Sequence, residues 1–343
     1  MVLVKNLFDL YDILLIDLYG VIWNGIELYK NSLEELKHLV SSGKNVTILS
    51  NTSSLSIDMA PRYHLEEFKE GVYFTDFVTS GDVLKSVLID GNLCFESIKN
   101  PKKYFMYGLE NEAPFRGSRY ERVLSIDDAD FIYISTPTLS DADIQELPND
   151  MKQYLYLYSS PGNKLVWLST SIEPFIPKLK YFFKKKKPLV VSNPDRYTTN
   201  LVFENPNSDR QIKVQTVHHG SIGLAYEKIG GEVFIIGKPY DKIYKYAITQ
   251  IAKRCGSSVE DVCKKHIAMV GDTLETDILG AENASKSMNC NIDSILVMTG
   301  MTARSMQDDE KSDVFLMKKF FEKKGIIPTH VMSELGTSAK IFY

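Results

Sequence analysis

Apolar positions along the chain follow two spacings that alternate. Ile13-Leu14-Leu15-Ile16 is a short continuous apolar run that stops at Asp17. A run of that length reads as a parallel strand buried on both faces. Leu33, Leu36, Leu39 and Val40 then recur at helical spacing up to Gly43, where glycine ends the helix. Val46 to Leu49 is a second strand, closing on Ser50-Asn51. The same texture returns late in the chain. Phe234-Ile235-Ile236 runs into Gly237-Lys238-Pro239, and Ile243, Ala247, Ile248 and Ile251 line a helix face. His266 to Val270 runs into Gly271-Asp272, and Ile295-Leu296-Val297 into Thr299-Gly300. Strand–helix alternation of this kind predicts an α/β fold: a doubly wound, parallel-sheet, Rossmann-like core with helices on both faces.

The middle of the chain differs. Tyr104–Tyr107, Phe131–Ile134 and Leu189–Val191 are strand-like, with helical stretches between them. The expected division is a core of residues 1–82 and 195–343, interrupted by an inserted α/β cap of residues 83–194. A chain of 343 residues suits two domains.

Four strands predicted for the core end in polar groups: Asp17, Ser50-Asn51, Lys238 and Asp272. Ligands of open parallel sheets bind outside the carboxyl ends of the strands, so all four would meet in one crevice. Carboxylates, a hydroxyl, an amide and an ammonium together suit a phosphate and a divalent cation. Mg²⁺ takes hard oxygen ligands, commonly one or two carboxylates completed by water and substrate phosphate. Lys238 and Ser50 can hydrogen-bond phosphate oxygens, and a carboxylate can attack phosphorus. Each feature alone has a plainer reading, since Asp, Ser-Asn and Gly-Lys-Pro are ordinary turn formers. Their joint occurrence at strand ends favours chemistry.

Composition narrows the partners. A net charge of −4 argues against a dedicated nucleic-acid binder. The stretch Ile13–Trp23 is broken by Asp17 and too short to span a membrane, and Met1–Asn6 lacks the features of a secretion signal. A cytoplasmic protein with a small phosphorylated substrate, and neither nucleic acid nor membrane as partner, is expected. Cys94, Cys255, Cys263 and Cys290 show no CxxC spacing, so reduced thiols are expected rather than a zinc site or a disulfide framework.

The strings at the strand ends resemble a known family. Ile16-Asp17-Leu18-Tyr19-Gly20-Val21-Ile22-Trp23-Asn24-Gly25, Ile48-Leu49-Ser50-Asn51-Thr52, Ile236-Gly237-Lys238-Pro239 and Val270-Gly271-Asp272-Thr273-Leu274-Glu275-Thr276-Asp277 look like the four motifs of the haloacid dehalogenase superfamily, in that order. Thr79-Ser80-Gly81-Asp82 and Ser192-Asn193-Pro194-Asp195 resemble the edges of the large α/β cap of its 4-nitrophenylphosphatase-like subgroup. The resemblance implies a Mg²⁺-dependent phosphatase. Asp17 would be nucleophile and metal ligand, Asp272 a second ligand, and Asp277 would orient metal-bound waters. Ser50 and Lys238 would bind the transferring phosphoryl group, Asn51 would shape the phosphate loop, and Asn193 and Asp195 would lie near the substrate. The cap surface is compatible with a homodimer. A sugar phosphate, a nucleotide, a phosphoglycolate-like acid and a pyridoxal phosphate-like ring all remain open as substrates.

One position departs from the pattern. The resemblance implies an acid/base Asp two residues after the nucleophile, and this chain has Tyr19. Its main-chain carbonyl can still serve a metal. Its phenol, with an ordinary pKa of about 10 against about 3.9 for Asp, is a poor proton carrier near neutral pH. Weak activity, a substrate with a good leaving group, or another proton carrier among His218, His219 and Glu275 would follow. A non-catalytic phosphate-binding protein is one alternative, and a dehalogenase-type hydrolase acting at carbon another. Three further features have bland readings: Lys184–Lys187 as a solvated helix end, Tyr154, Tyr156 and Tyr158 as strand packing, and His218 and His219 as helix-start residues.

Overall fold

The computed structural model describes residues 3–4, 6–24, 27–59, 68–160 and 164–341; Gly25, the last residue of the first motif-like string, lies outside them. The chain divides into two compact units, one of Met1–Ser50, Ser56–Thr79 and Gly237–Tyr343, the other of Asn51–Leu55 and Ser80–Ile236.

In chain order the strands are β1 (Leu3–Val4), β2 (Ile13–Ile16), β3 (Asn45–Ser50), β4 (Asp76–Thr79), β5 (Lys103–Tyr107), β6 (Glu121–Val123), β7 (Phe131–Ile134), β8 (Leu155–Ser159) and β9 (Leu165–Ser169). They continue as β10 (Leu189–Val191), β11 (Tyr197–Phe203), β12 (Gln211–Val217), β13 (Val233–Ile235), β14 (Ile267–Gly271), β15 (Ile292–Val297), β16 (His330–Met332) and β17 (Ala339–Ile341).

The first unit is an eight-stranded sheet among the described residues, in the order β1-β17-β16-β15-β14-β2-β3-β4. Its centre is parallel, β14 against β2 and β2 against β3, and β17 runs antiparallel beside β16. Every residue of β2 and β14 is buried, which is why both read as unbroken apolar runs. Helices Lys30–Ser41, Asp241–Cys255, Leu279–Met288 and Val314–Lys324 flank these strands. This is the parallel-sheet, Rossmann-like fold expected from the alternation.

The second unit has its own parallel sheet, β13-β10-β7-β5-β6, with hairpins β8–β9 and β11–β12. Here the expectation needs correcting. The run Phe234-Ile235-Ile236 was expected in the first sheet, and the return to the core was placed at residue 195. Instead β13 pairs with β10, Val190 opposite Phe234, and the first unit resumes only at Gly237. The hairpin β11–β12 and the helix His219–Lys228 also lie in the second unit. A short apolar strand carries no mark of which parallel sheet will take it.

The cysteines also depart from expectation. Cys263 and Cys290 are joined by a disulfide, while Cys94 and Cys255 are exposed free thiols. The bonded pair is 27 residues apart in sequence, a spacing with no local pattern. The bland features sit as expected: Tyr156 and Tyr158 lie on β8, and the lysine run falls at the end of the helix Ile176–Lys184. Among the described residues no helix is long and apolar enough to cross a membrane.

Candidate functional site

Strand register sets the site. Ile16 stands opposite Val270 on one side and Ile48 on the other, so Asp17 emerges from the sheet level with Gly271 and Leu49. Its amide donates to Val270 O at 2.8 Å. Lys238, on the turn before the helix Asp241–Cys255, reaches this point with Nζ 2.6 Å from Asp17 Oδ1 and 2.8 Å from Leu49 O. The same ammonium is 2.8 Å from Asp277 Oδ1. Lys238 is only 1 % exposed, and a lysine is buried so completely only when its charge is met. Its turn is fixed from outside by Asn283 Nδ2, which donates to Pro239 O at 3.1 Å.

Asp272 and Asp277 are placed by the turn after β14. Residues Leu274–Ile278 form a single π-helical turn, a local widening that recurs at functional sites. Asp277 closes it: its Oδ2 accepts from Thr273 N at 3.1 Å, and its carbonyl accepts from Tyr244 Oη at 3.2 Å. Asp272 is held on two sides, with Oδ1 accepting from Thr273 Oγ1 at 2.9 Å and Oδ2 from Met301 N at 2.6 Å. The backbone crowds it. A Cβ at Gly300 would lie 1.7 Å from Asp272 Oδ2, and one at Gly20, where φ is +82°, would lie 2.3 Å from the same oxygen. Thr299 Oγ1 bonds Gly20 O and ties the two loops together.

The charges do not balance. Asp17, Asp272 and Asp277 each offer an oxygen within 4.8 Å of the others, and Lys238 is the ammonium among them. Three carboxylates and one ammonium sum to a formal −2. Burial pushes the Asp17 carboxyl well above its usual range; Lys238 pulls it down, and Asp277 and Asp272 push it up again. Burial and the charge of Asp277 push Asp272 up to about 7. Burial also works against the Lys238 ammonium, but Asp17 and Asp277 more than offset it, and its pKa is raised. An all-oxygen donor set with an excess of two negative charges fits one divalent hard cation.

Ser50 ends β3, buried, in register with Thr79. Tyr19, on the loop after β2, is 42 % exposed. Asn51, Asn193 and Asp195 form a cluster in the second unit: Asn51 Nδ2 donates to Asp195 Oδ1 at 2.8 Å, and Asp195 N to Asn193 Oδ1 at 2.8 Å. His218 stands at the N-terminal flank of the helix His219–Lys228 in that unit without a side-chain capping bond, and Glu275 pairs with Lys324 at 3.0 Å. Sequence reasoning missed Gly20, Gly300 and the Met301 amide. A backbone donor is not written in its own side chain; the Thr299-Gly300 stop after an apolar strand was the available signal.

A family model described as haloacid dehalogenase-like hydrolase matches residues 14–110, and one described as HAD-hydrolase-like matches residues 235–319. Phosphoglycolate phosphatase 2 of Arabidopsis thaliana is 26% identical over 308 residues, 88% of this chain and 87% of that one. A possible sugar phosphatase of the HAD superfamily from Cytophaga hutchinsonii aligns with TM-score 0.63 at 18% identity, over 97% of this chain and 98% of that one. A glycerol phosphate phosphatase from Mycobacterium tuberculosis, solved with magnesium, aligns with TM-score 0.56 at 17% identity, over 97% of this chain and 78% of that one. At these identities the structural likenesses establish the fold.

Proposed function

The chain belongs to the haloacid dehalogenase-like hydrolases, and on that premise we propose a Mg²⁺-dependent phosphatase that acts on a small phosphorylated metabolite through an aspartyl-phosphate on Asp17. The buried cluster of Asp17, Asp272, Asp277 and Lys238 carries this reading. A solved relative with magnesium and a phosphatase relative in Arabidopsis thaliana support it.

Asp17 and Asp272 would hold the cation, joined by the main-chain carbonyl of Tyr19, with Asp277 orienting its waters. A bound divalent cation would cancel the excess charge and draw the phosphate oxygens toward the carboxylates. Lys238, already bonded to Asp17 Oδ1, opposes part of the upward pull of burial on that carboxyl and fixes its direction. With Ser50 it donates to the oxygens of the transferring group, where charge spreads in the transition state. A carboxylate oxygen of Asp17 attacks phosphorus and the bond to the leaving oxygen breaks. Water then attacks the phosphorus of the aspartyl-phosphate and returns Asp17. Tyr19 supplies no ready proton for the leaving oxygen, so phenols and acyl groups, which depart as anions, would be favoured. Asn51, Asn193 and Asp195, clustered in the second unit, would take polar groups of the substrate. The three-carboxylate donor set speaks for this chemistry over metal-free attack at carbon.

The test is phosphate release with Mg²⁺ from aryl, acyl and alkyl phosphates, beside Asp17→Asn. Mg²⁺-dependent release that vanishes in the variant is expected. Phosphate and Mg²⁺ binding without release from any ester would favour a binding protein instead.

A further inference from the structure

We infer that the Cys263–Cys290 disulfide is a redox-reversible staple around the segment that carries Asp272 and Asp277. Cys263 ends the short helix Val259–Cys263, which leads into β14. Cys290 follows the helix Leu279–Met288, where Asn289 at φ 54° turns the chain back toward β15. The two strands are parallel neighbours, with Ile267 opposite Ile292, so the cysteines just before them meet with Cα atoms 4.6 Å apart. That separation lies within the ordinary span of a disulfide. The bond closes a loop over residues 264–289, which contains β14, both carboxylates, the π-helical turn and a helix. Nothing in the proposed catalysis uses it.

The two sulfurs are not equally open. Cys290 is 5 % exposed, whereas Cys263 is half-buried. A thiolate therefore attacks Cys263 Sγ, and Cys290 leaves as a thiolate that takes up a proton. With a dithiol reductant, the second thiol attacks the mixed disulfide and releases Cys263. Two electrons and two protons pass to the protein, and the reductant departs as a cyclic disulfide. Glutathione disulfide reverses the process and yields two molecules of glutathione. A closed loop of this length restricts the unfolded chain, so reduction lowers the stability of the segment that bears the carboxylates without removing a side chain from the site.

The experiment uses the full chain, oxidised in air without small thiols and then reduced with dithiothreitol, and counts thiols after denaturation. The expected count is two after oxidation, Cys94 and Cys255, and four after reduction. The melting temperature should fall by roughly 10 °C on reduction. Amide exchange should quicken across residues 264–292 and stay unchanged in β5 and β7. A Cys94→Ser/Cys255→Ser double variant should keep the shift, and Cys263→Ser should lack it. If Cys263→Ser does not fold, the thiol count and the wild-type shift still decide. Four thiols after oxidation would overturn the inference, as would a melting temperature indifferent to the change from two thiols to four. None of these readouts involves turnover, so they stand or fall apart from the phosphatase reading.

Discussion

Gly300→Ala tests how tightly the carboxylate site is built. The added carbon would lie 1.7 Å from Asp272 Oδ2, 2.4 Å from its Cγ and 2.6 Å from its Cβ. Ordinary contact between such atoms needs well over 3 Å, so one partner must move by roughly 1.5 Å or more. Asp272 has little room to retreat, because Gly20 backs the same oxygen and Thr273 Oγ1 holds the other. Either the carboxylate turns away from Met301 N, or the loop carrying that amide is pushed off. The first route loses a charge-assisted hydrogen bond, worth about 1.5–3 kcal/mol, and overpacking costs about 1–3 kcal/mol. A loss of about 2.5–6 kcal/mol in unfolding free energy follows. Displacing a partner that orients a metal ligand typically weakens metal binding about 10–100-fold. Denaturant melts give the first quantity, and calorimetric titration of Mg²⁺ or Mn²⁺ into chelated protein gives the second. A variant with wild-type stability and wild-type metal affinity would refute the steric reasoning.

Lys238→Met leaves the carboxylates of Asp17 and Asp277 without their shared ammonium; breaking a buried pair this way costs about 3–5 kcal/mol, readable in denaturant melts, and turnover should vanish with it. Tyr19→Asp puts a carboxylate where the proposed mechanism lacks a proton carrier, and should raise alkyl-phosphate hydrolysis about 10²–10⁴-fold while changing aryl-phosphate hydrolysis far less; equal gains on both would contradict the leaving-group argument. His219 is buried, and burial, then His218, holds its imidazole well below the ordinary value. A depressed folded pKa gives stability that is full above the unfolded value of about 6.5 and is lost as pH falls below it, so melting temperature should decline from pH 7 to pH 5, less steeply in His219→Gln.

The central strands were legible because they are simple. β2 and β14 are buried on both faces, so each reads as an apolar run, and the polar residue that ends each marks the rim. That is how Asp17 and Asp272 could be brought together from the sequence. Lys238 was also found, though for a reason that did not survive: its strand was expected in the core sheet, and β13 lies in the other sheet. The error arises because three apolar residues flanked by turns fit either sheet, and only pairing over long sequence distance decides. The support around Asp272 was hidden for another reason. Met301 acts through its amide and Gly300 through the absence of a side chain, and neither property follows from residue type without the backbone path. The Cys263–Cys290 pair depends on two strands becoming neighbours, which no spacing rule encodes.

The broken order of the first unit has a consequence for how the chain folds. Its sheet needs β2 and β3 from the start of the sequence and β14 to β17 from the end, and Asp17 meets Lys238 across 221 residues. The second unit's sheet draws only on residues 103–235. On a ribosome that sheet has all its strands while β2 still lacks β14, its neighbour on one side. Closing a loop of that length comes late and costs chain entropy. The inserted unit is therefore expected to fold first, with the strand that leads to Asp17 held open until the C-terminal third emerges. The carboxylate site would then be among the last parts of the protein to exist.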